Sequence, residues 1–204
     1  MENIFKNIDP EKRDRIINSA LEEFSTNRFD QASTNNIVKN AGISKGLLFH
    51  YFKSKKSLYE HLEVFAIETM INAILKEVDW DETDLFVRIK QIVIIKFKVC
   101  VRYPRLVAFS KVMYEKKSMD EIKEIVETYI PDIYNQVYHR NIDFKLFKDS
   151  VDVQKAIKMT QWTLEKLGEE WITHFIAMNI DIDYEGLTQE IDGYLKMLKQ
   201  AFYK

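Results

Sequence analysis

Lys45, Phe49, His50, Tyr51, Lys53, Lys55 and Lys56 fall within twelve consecutive residues of this chain. Ammonium groups at that density neutralise phosphate oxygens, and aromatic side chains among them supply wall and stacking contacts. Gly46 sits in the same stretch, where a helix would lose about 0.5–1 kcal/mol relative to alanine. That cost makes sense if the backbone approaches another surface closely, and a DNA groove is one such surface. A solvated lysine face and an incidental glycine would use the same residue types. The elements that hold them must therefore decide.

Those elements read as two short helices and a turn. Thr34 can cap a helix through Ile37, Val38 and Ala41, and Gly42 can end it in a left-handed conformation. Ser44 then caps a second helix from Lys45 to Phe52. A helix, a glycine-containing turn of about three or four residues and a second helix form the layout of a DNA-binding helix-turn-helix. Ile37, Val38, Ala41, Ile43, Leu48 and Phe52 supply its small core. Ahead of it, Asp9-Pro10-Glu11 starts a helix with Ile16, Ile17, Ala20, Leu21 and Phe24 on one face. Asn27 is placed as its left-handed cap, and a polar link, Asp30 to Ser33, follows.

Charge agrees once it is divided along the chain. The net value is −2, but residues 1–60 hold ten Lys/Arg against eight Asp/Glu, and residues 61–204 hold twenty against twenty-four. Within 28–60 there are six bases and two acids. Phosphate attraction acts over a Debye length of ~8–10 Å, so local charge is what counts.

The stretch Thr34–Leu62 resembles the DNA-binding domain of the TetR family of bacterial regulators. The family pattern, loosely Thr…Ile-Ala…Ala-Gly-Val-Ser…Gly-x-Leu-Tyr-x-Tyr-Phe-x-x-Lys…Leu, is met by Thr34, Ile37, Ala41, Gly42, Ile43, Ser44, Gly46, Leu48, Tyr51, Phe52, Lys55 and Leu58. The likeness extends back over the first helix, to about residue 9. Val38 stands where alanine is usual. Phe49 stands where tyrosine is usual and lacks the hydroxyl that would reach a phosphate. The resemblance implies an all-α fold, with an N-terminal three-helix helix-turn-helix domain (1–57) and a larger helical ligand-binding and dimerisation domain (58–204).

By the same resemblance, Thr34, Asn35, Ser44, Lys45, Gly46, Leu47, Phe49, His50, Tyr51 and Lys55 form the DNA-binding set. Lys45, Gly46, Leu47, Phe49, His50 and Tyr51 would face the major groove or its walls, while Thr34 and Lys55 would hold phosphates at helix N-termini. Lys45 is the choice for base readout, since lysine suits the O6 and N7 acceptors of guanine.

Beyond the head, Leu58, Leu62, Phe65, Ala66 and Met70 predict one long helix to about Glu77, broken at Asp79–Glu82. A helix from Glu82 to Tyr103 is stopped by Pro104. Its β-branched segment Ile92–Val101 could be a strand but has no evident partner. Arg105–Glu115 and Asp120–Asn141 are further helices, the second split or kinked at Pro131, and 142–150 is an irregular link. Val153, Ile157, Thr160, Leu164, Leu167, Trp171, His174 and Met178 then follow steps of three and four, as do Leu187, Ile191, Tyr194, Leu198 and Ala201 in a last helix.

Those two seams suit a four-helix bundle with a second copy, or equally the core of one chain. TetR relatives dimerise through their last two helices, so the resemblance assigns Ile157, Thr160, Leu164, Leu167, Trp171, Phe175, Leu187, Ile191, Tyr194 and Leu198 to a dimer interface. It likewise implies a ligand pocket in the middle helices, with candidates Phe65, Phe97, Cys100, Tyr103, Phe109, Met113, Tyr138, His139, Met159, Gln161 and Trp162. Each of these fits core packing as well.

Other function classes find little here. There is no HExxH, GxSxG, GxGxxG or Walker-type loop. His50, His61, His139 and His174 lack metal-ligand spacing, and Cys100 has no evident partner, so neither a metal nor another cofactor is expected and the chain does not read as an enzyme. One cysteine, an N-terminus without an apolar h-region and runs such as Ile92–Ile95, far short of the ~20 residues of a membrane span, point to the cytoplasm. The expected function is a transcriptional regulator, most simply a homodimeric repressor released from a pseudo-palindromic operator by a small apolar or aromatic ligand. A DNA-binding factor of the same fold that recruits a protein, and a helical ligand-binding protein with a vestigial head, are the alternatives.

Overall fold

The computed structural model describes residues 8–115, 117–178 and 183–204. Among them the helices are α1 (Pro10–Thr26), α2 (Thr34–Ala41), α3 (Lys45–Phe52), α4 (Lys55–Glu77), α5 (Leu85–Arg102), α6 (Leu106–Tyr114), α7 (Met119–Tyr129), α8 (Ile133–Tyr138), α9 (Val153–Met178) and α10 (Tyr184–Phe202). The protein is all-α, as its few glycines and prolines and its helical apolar spacing require. Ile92–Val101 lies within α5 and is helical.

Local rules explain most boundaries. Asp9 caps α1 by accepting from the Lys12 N–H at 3.0 Å, with Pro10 at the first position. Ser54 Oγ accepts from the Ser57 N–H at 3.0 Å and caps α4. Asp84 caps α5 through the N–H groups of Phe86 and Val87, at 2.9 and 3.3 Å. Pro104 follows the end of α5, and Pro131 separates α7 from α8. Asn27 departs from expectation: its backbone is extended, at φ −117°.

The chain forms two compact units. One holds the residues up to Thr69 together with Arg102–Tyr129; the other holds Met70–Val101 and Ile130–Lys204. The chain passes between them within α4, within α5 and after α7. In the first unit Ile16, Ile17, Leu21, Phe24, Ile37, Leu48, Phe52, Leu58 and Leu62 are almost fully buried. They are the apolar stripes of α1 to α4, brought to one core.

The second unit is built on α5, α9 and α10, and its core includes Leu85, Phe86, Phe97, Ile157, Leu164, Leu167, Phe175, Leu187 and Ile191. This overturns the dimer face expected from the two seams. Ile157, Thr160, Leu164, Leu167, Phe175, Leu187 and Ile191 are buried within one chain, and Trp171 and Leu198 pack against the same core. Tyr194 alone of that set is exposed, at 40%. An amphipathic stripe marks the face a helix buries, not the chain that buries it, and here α5 covers it. The side chain of Met178 lies outside the described residues.

Two features of this unit have no counterpart in the sequence reading. Arg88 is fully buried and gives its guanidinium to the backbone carbonyls of Trp80, Glu82, Gln136, Val137 and Arg140. A buried cation is tolerable only when so surrounded by acceptors. The link after α8 contains a short 3-10 turn, Phe144–Leu146, and the Phe147 backbone then pairs with Tyr203. Phe147 is buried, so this link closes the core rather than merely spanning it.

Candidate nucleic-acid interface

The helix-turn-helix forms for the reasons its residues suggest. Gly42 ends α2 at φ +66°, its N–H returning to the Lys39 and Val38 carbonyls. Ser44 Oγ accepts from the Leu47 N–H at 3.2 Å and starts α3. Leu48 and Phe52, one turn apart, bury the inner stripe of α3. Of the other residues of α3, Lys45, Gly46 and His50 are exposed and Leu47, Phe49 and Tyr51 are half-buried. Of the six residues expected to face the groove, the first three are therefore open to solvent and the other three partly covered.

Gly46 is informative by what it does not touch. A Cβ built there would meet only Ser44 Oγ, at 4.0 Å. No contact within the chain requires glycine at this position. What remains is the close approach of something outside, or no requirement at all.

The N-terminus of α2 is held in a way the sequence reading missed. Thr34 is the first helical residue rather than the cap; Ser33 occupies the cap position and makes no side-chain capping bond. Glu23 of α1 does that work. It is 7% exposed, and its carboxylate accepts from the Ser33 N–H at 2.7 Å, from Asn27 Nδ2 at 3.1 Å and from Asn36 Nδ2 at 3.3 Å. The available signal was a carboxylate on the apolar face of α1, three residues after Ala20 and beside Phe24. A buried carboxylate needs donors, and the Asn/Ser-rich link supplies them.

Lys55 is a second correction. The resemblance implies a phosphate contact, but its ammonium donates to the carbonyls of Phe29, Asp30 and Ala32 at 2.7, 3.3 and 3.0 Å. It also lies 4.8 Å from the Phe29 ring centroid. Lysine has three donors, and these three acceptors use them all. Asn35 is exposed on the first turn of α2, and Lys39, Lys53 and Lys56 are exposed nearby in sequence. Lys56 pairs with Glu60 at 3.6 Å, an exposed i,i+4 contact of little strength. Lys53 ends α3 at φ +63° and donates through Nζ to the His50 carbonyl at 3.1 Å.

The same unit ties α1 to the corner between α5 and α6. Asp14 accepts from Arg102 at 2.8–2.9 Å and from the Tyr103 hydroxyl at 2.9 Å. Burial pushes the Asp14 carboxyl up, and the bonds from Arg102 and Tyr103 outweigh it, leaving it below its usual range. Burial and the bond to Asp14 push the Tyr103 hydroxyl up to about 12.

The eleven ligand candidates fall in both units and in different environments. Phe97, Cys100, Tyr103, Phe109 and Met113 are buried in packing, and Phe65 meets Tyr103 edge to face, centroids 5.0 Å apart. Burial raises the Cys100 thiol to about 11, which keeps it protonated. Gln161 donates to the Tyr138 hydroxyl, and His139 sits between the rings of Tyr134 and Phe144. Met159 and Trp162, at 48% and 66% exposed, lie on the surface. Among the described residues no group of three or more His, Cys, Asp or Glu could hold a metal ion, and no helix is long and apolar enough to cross a membrane.

Comparison with known proteins places this geometry. Residues 16–62 match the model of the bacterial regulatory proteins of the tetR family. The HTH-type transcriptional regulator UidR of Escherichia coli K12 is 48% identical over 48 residues, 24% of either chain. The biofilm operon icaADBC HTH-type negative transcriptional regulator IcaR of Staphylococcus aureus Newman is 33% identical over 63 residues, 31% of this chain and 34% of that one. These matches thus span only about a quarter to a third of the curated relatives. Over nearly the whole length the fold is similar to a TetR family transcriptional regulator from Chloroflexus aurantiacus, with TM-score 0.68, 21% identity and coverage of 98% and 97% of the two chains. It is also similar to the fatty acid degradation regulator FadR from Bacillus halodurans, with TM-score 0.52, 19% identity and coverage of 95% and 96%.

Proposed function

We propose that the chain is a bacterial transcriptional regulator of the TetR family, and that it is a homodimeric repressor released from a pseudo-palindromic operator by a small apolar or aromatic molecule. The observation that carries DNA binding is the exposed start of α3, where Lys45 and Gly46 occupy the first turn while Leu48 and Phe52 anchor the rest of the helix in the core. Recognition helices present their N-terminal residues to base edges in this manner. Residues 1–57 carry DNA binding, and 58–204 carry ligand binding and self-association. The negative sign is favoured by likeness over 63 residues to IcaR, a negative transcriptional regulator.

Self-association uses the faces of α9 and α10 that the chain leaves open. Met159 and Trp162 on α9, and Tyr194 and Met197 on α10, are each 40% exposed or more. Each pair is spaced three residues apart, on one side of its helix. Large apolar side chains left exposed in this number mark an interaction surface. A second copy using the same surface gives a two-fold dimer and two reading heads.

Selection of bound sites from random DNA with the full chain tests this reading. The expected product is an inverted repeat with half-sites separated by about 10 base pairs or a multiple. Recovery of unrelated sequences, with no repeat enriched, would count against it.

A further inference from the structure

An open cavity of about 420 Å³ lies in the second unit between α9 and α10, with Glu170, His174, Asp183 and Glu190 exposed along it. Its lining is Leu167, Glu170, Trp171, His174 and Phe175 from α9, with Asp183 and Glu190 from the start of α10. None of the eleven ligand candidates is among these residues. The volume suits a small organic molecule.

The chemistry of the wall is lopsided. Trp171 and Phe175 offer ring faces with centroids 5.4 Å apart, and His174 lies against Phe175 at 5.9 Å. Three carboxylates stand among them, with no lysine or arginine in the described lining. Each carboxylate keeps acceptor capacity to spare. Glu190 receives the Trp171 indole N–H, and Asp183 receives the Gly186 N–H at 2.8 Å as the cap of α10. Glu170 pairs with the exposed Lys166, at 3.8 Å. A carboxylate offers about four acceptor positions, so these contacts leave most of them open.

Gly186 makes the arrangement possible. A Cβ there would stand 2.3 Å from Asp183 Oδ2 and 3.1 Å from the Trp171 ring. Glycine thus lets a carboxylate and an indole come together over the first turn of α10.

Aromatic faces and an excess of carboxylates select against two ligand classes. An anion meets like charge, and a neutral apolar body would strip water from carboxylates without replacing it. A cation with an apolar or aromatic body satisfies both, through the ring faces and through the carboxylate charge. We propose that this cavity binds a small organic cation and that such a cation is the effector. The second half rests on the ligand-released reading above.

Tetraphenylphosphonium and tetraphenylborate, close in size and shape and opposite in charge, are the probes. The full chain should bind the phosphonium saturably, by calorimetry and by quenching of Trp171, and should not bind the borate. Glu190→Gln and Asp183→Asn keep the acceptors for Trp171 and for the α10 cap while removing charge. Together they should weaken phosphonium binding by about tenfold or more at unchanged Tm. Equal binding of the two ions, or phosphonium binding indifferent to the double variant, would overturn the site. A second arm uses the DNA enriched by selection. Loss of that DNA on adding phosphonium, in the native chain and not in the double variant, supports the effector role, and a saturated cavity with unchanged DNA affinity overturns it. If no DNA is enriched, the repressor reading fails while the ion titrations still decide the site.

Discussion

The Lys55 ammonium donates to the Phe29 carbonyl at 2.7 Å and rests 4.8 Å from the centroid of the same residue's ring. One side chain thus fastens the start of α4 to the link between α1 and α2. Lys55→Met should lower stability by about 1–3 kcal/mol, since it leaves three carbonyls without their charged donor. It should leave the salt dependence of DNA binding unchanged. Removal of a true phosphate contact flattens the log–log salt slope by about one unit. Affinity measured from low to high salt separates the two, and a flattened slope would return Lys55 to the phosphate.

Gly46→Ala should have opposite effects on folding and on binding. The chain offers a Cβ open space at this position, so alanine should raise stability by about 0.5–1 kcal/mol through helix propensity. If the backbone at 46 meets DNA, the same methyl group should weaken operator binding. Thermal melts and DNA titrations of this variant decide it. A more stable protein with undiminished affinity would make the glycine incidental.

The Asp14–Arg102–Tyr103 cluster predicts a stability plateau with two edges. The folded Asp14 carboxyl is depressed below 3.8, so its contribution is present above that value and fades as the pH falls through the folded value. The Tyr103 hydroxyl is raised from 10.0 to about 12, so its contribution is present below 10 and fades as the pH climbs toward 12. Asp14→Asn should lower Tm near neutrality and lose that disadvantage in acid. A Tm difference from the native chain that is constant from pH 2 to 7 would contradict the assignment.

Trp162→Glu with Met197→Glu should yield a folded monomer. Both side chains are more than 60% exposed, so the charges cost the chain itself little, while a second copy would have to bury them unpaired. Binding to an inverted repeat should fall toward that of a single half-site. Sedimentation shows the mass; a variant that stays dimeric would place the interface elsewhere. Ile157→Glu, by contrast, should unfold the chain, because Ile157 is 1% exposed in its own core.

These cases show which parts of the molecule its sequence declares. Asp9-Pro10, Gly42, Ser44, Ser54, Pro104 and Pro131 act on backbone within a few residues of themselves, and each does what its type and position suggest. The outward residues of α3 were legible for the same reason, since Leu48 and Phe52 settle the inner stripe. Glu23, Lys55 and Arg88 were not. Many of their partners lie ten to more than fifty residues away, and most are backbone atoms, which carry no residue-type signal. The α9 and α10 seams are plain in the sequence, but periodicity gives the direction of burial and not the identity of the cover. The cavity lining includes residues of that same face, Leu167, Trp171 and Phe175.

The central claim is that α3 reads a DNA sequence, with Lys45 in contact with a base. Its most direct test is the ratio of Kd values for the enriched site and a scrambled duplex of equal length at physiological salt. For the native chain the ratio should be about 10³ or more. Lys45→Ala should cost about 1–3 kcal/mol on the enriched site, with the loss confined to one base pair of each half-site. A ratio near one for the native chain, or a Lys45→Ala loss spread equally over both duplexes, would contradict it.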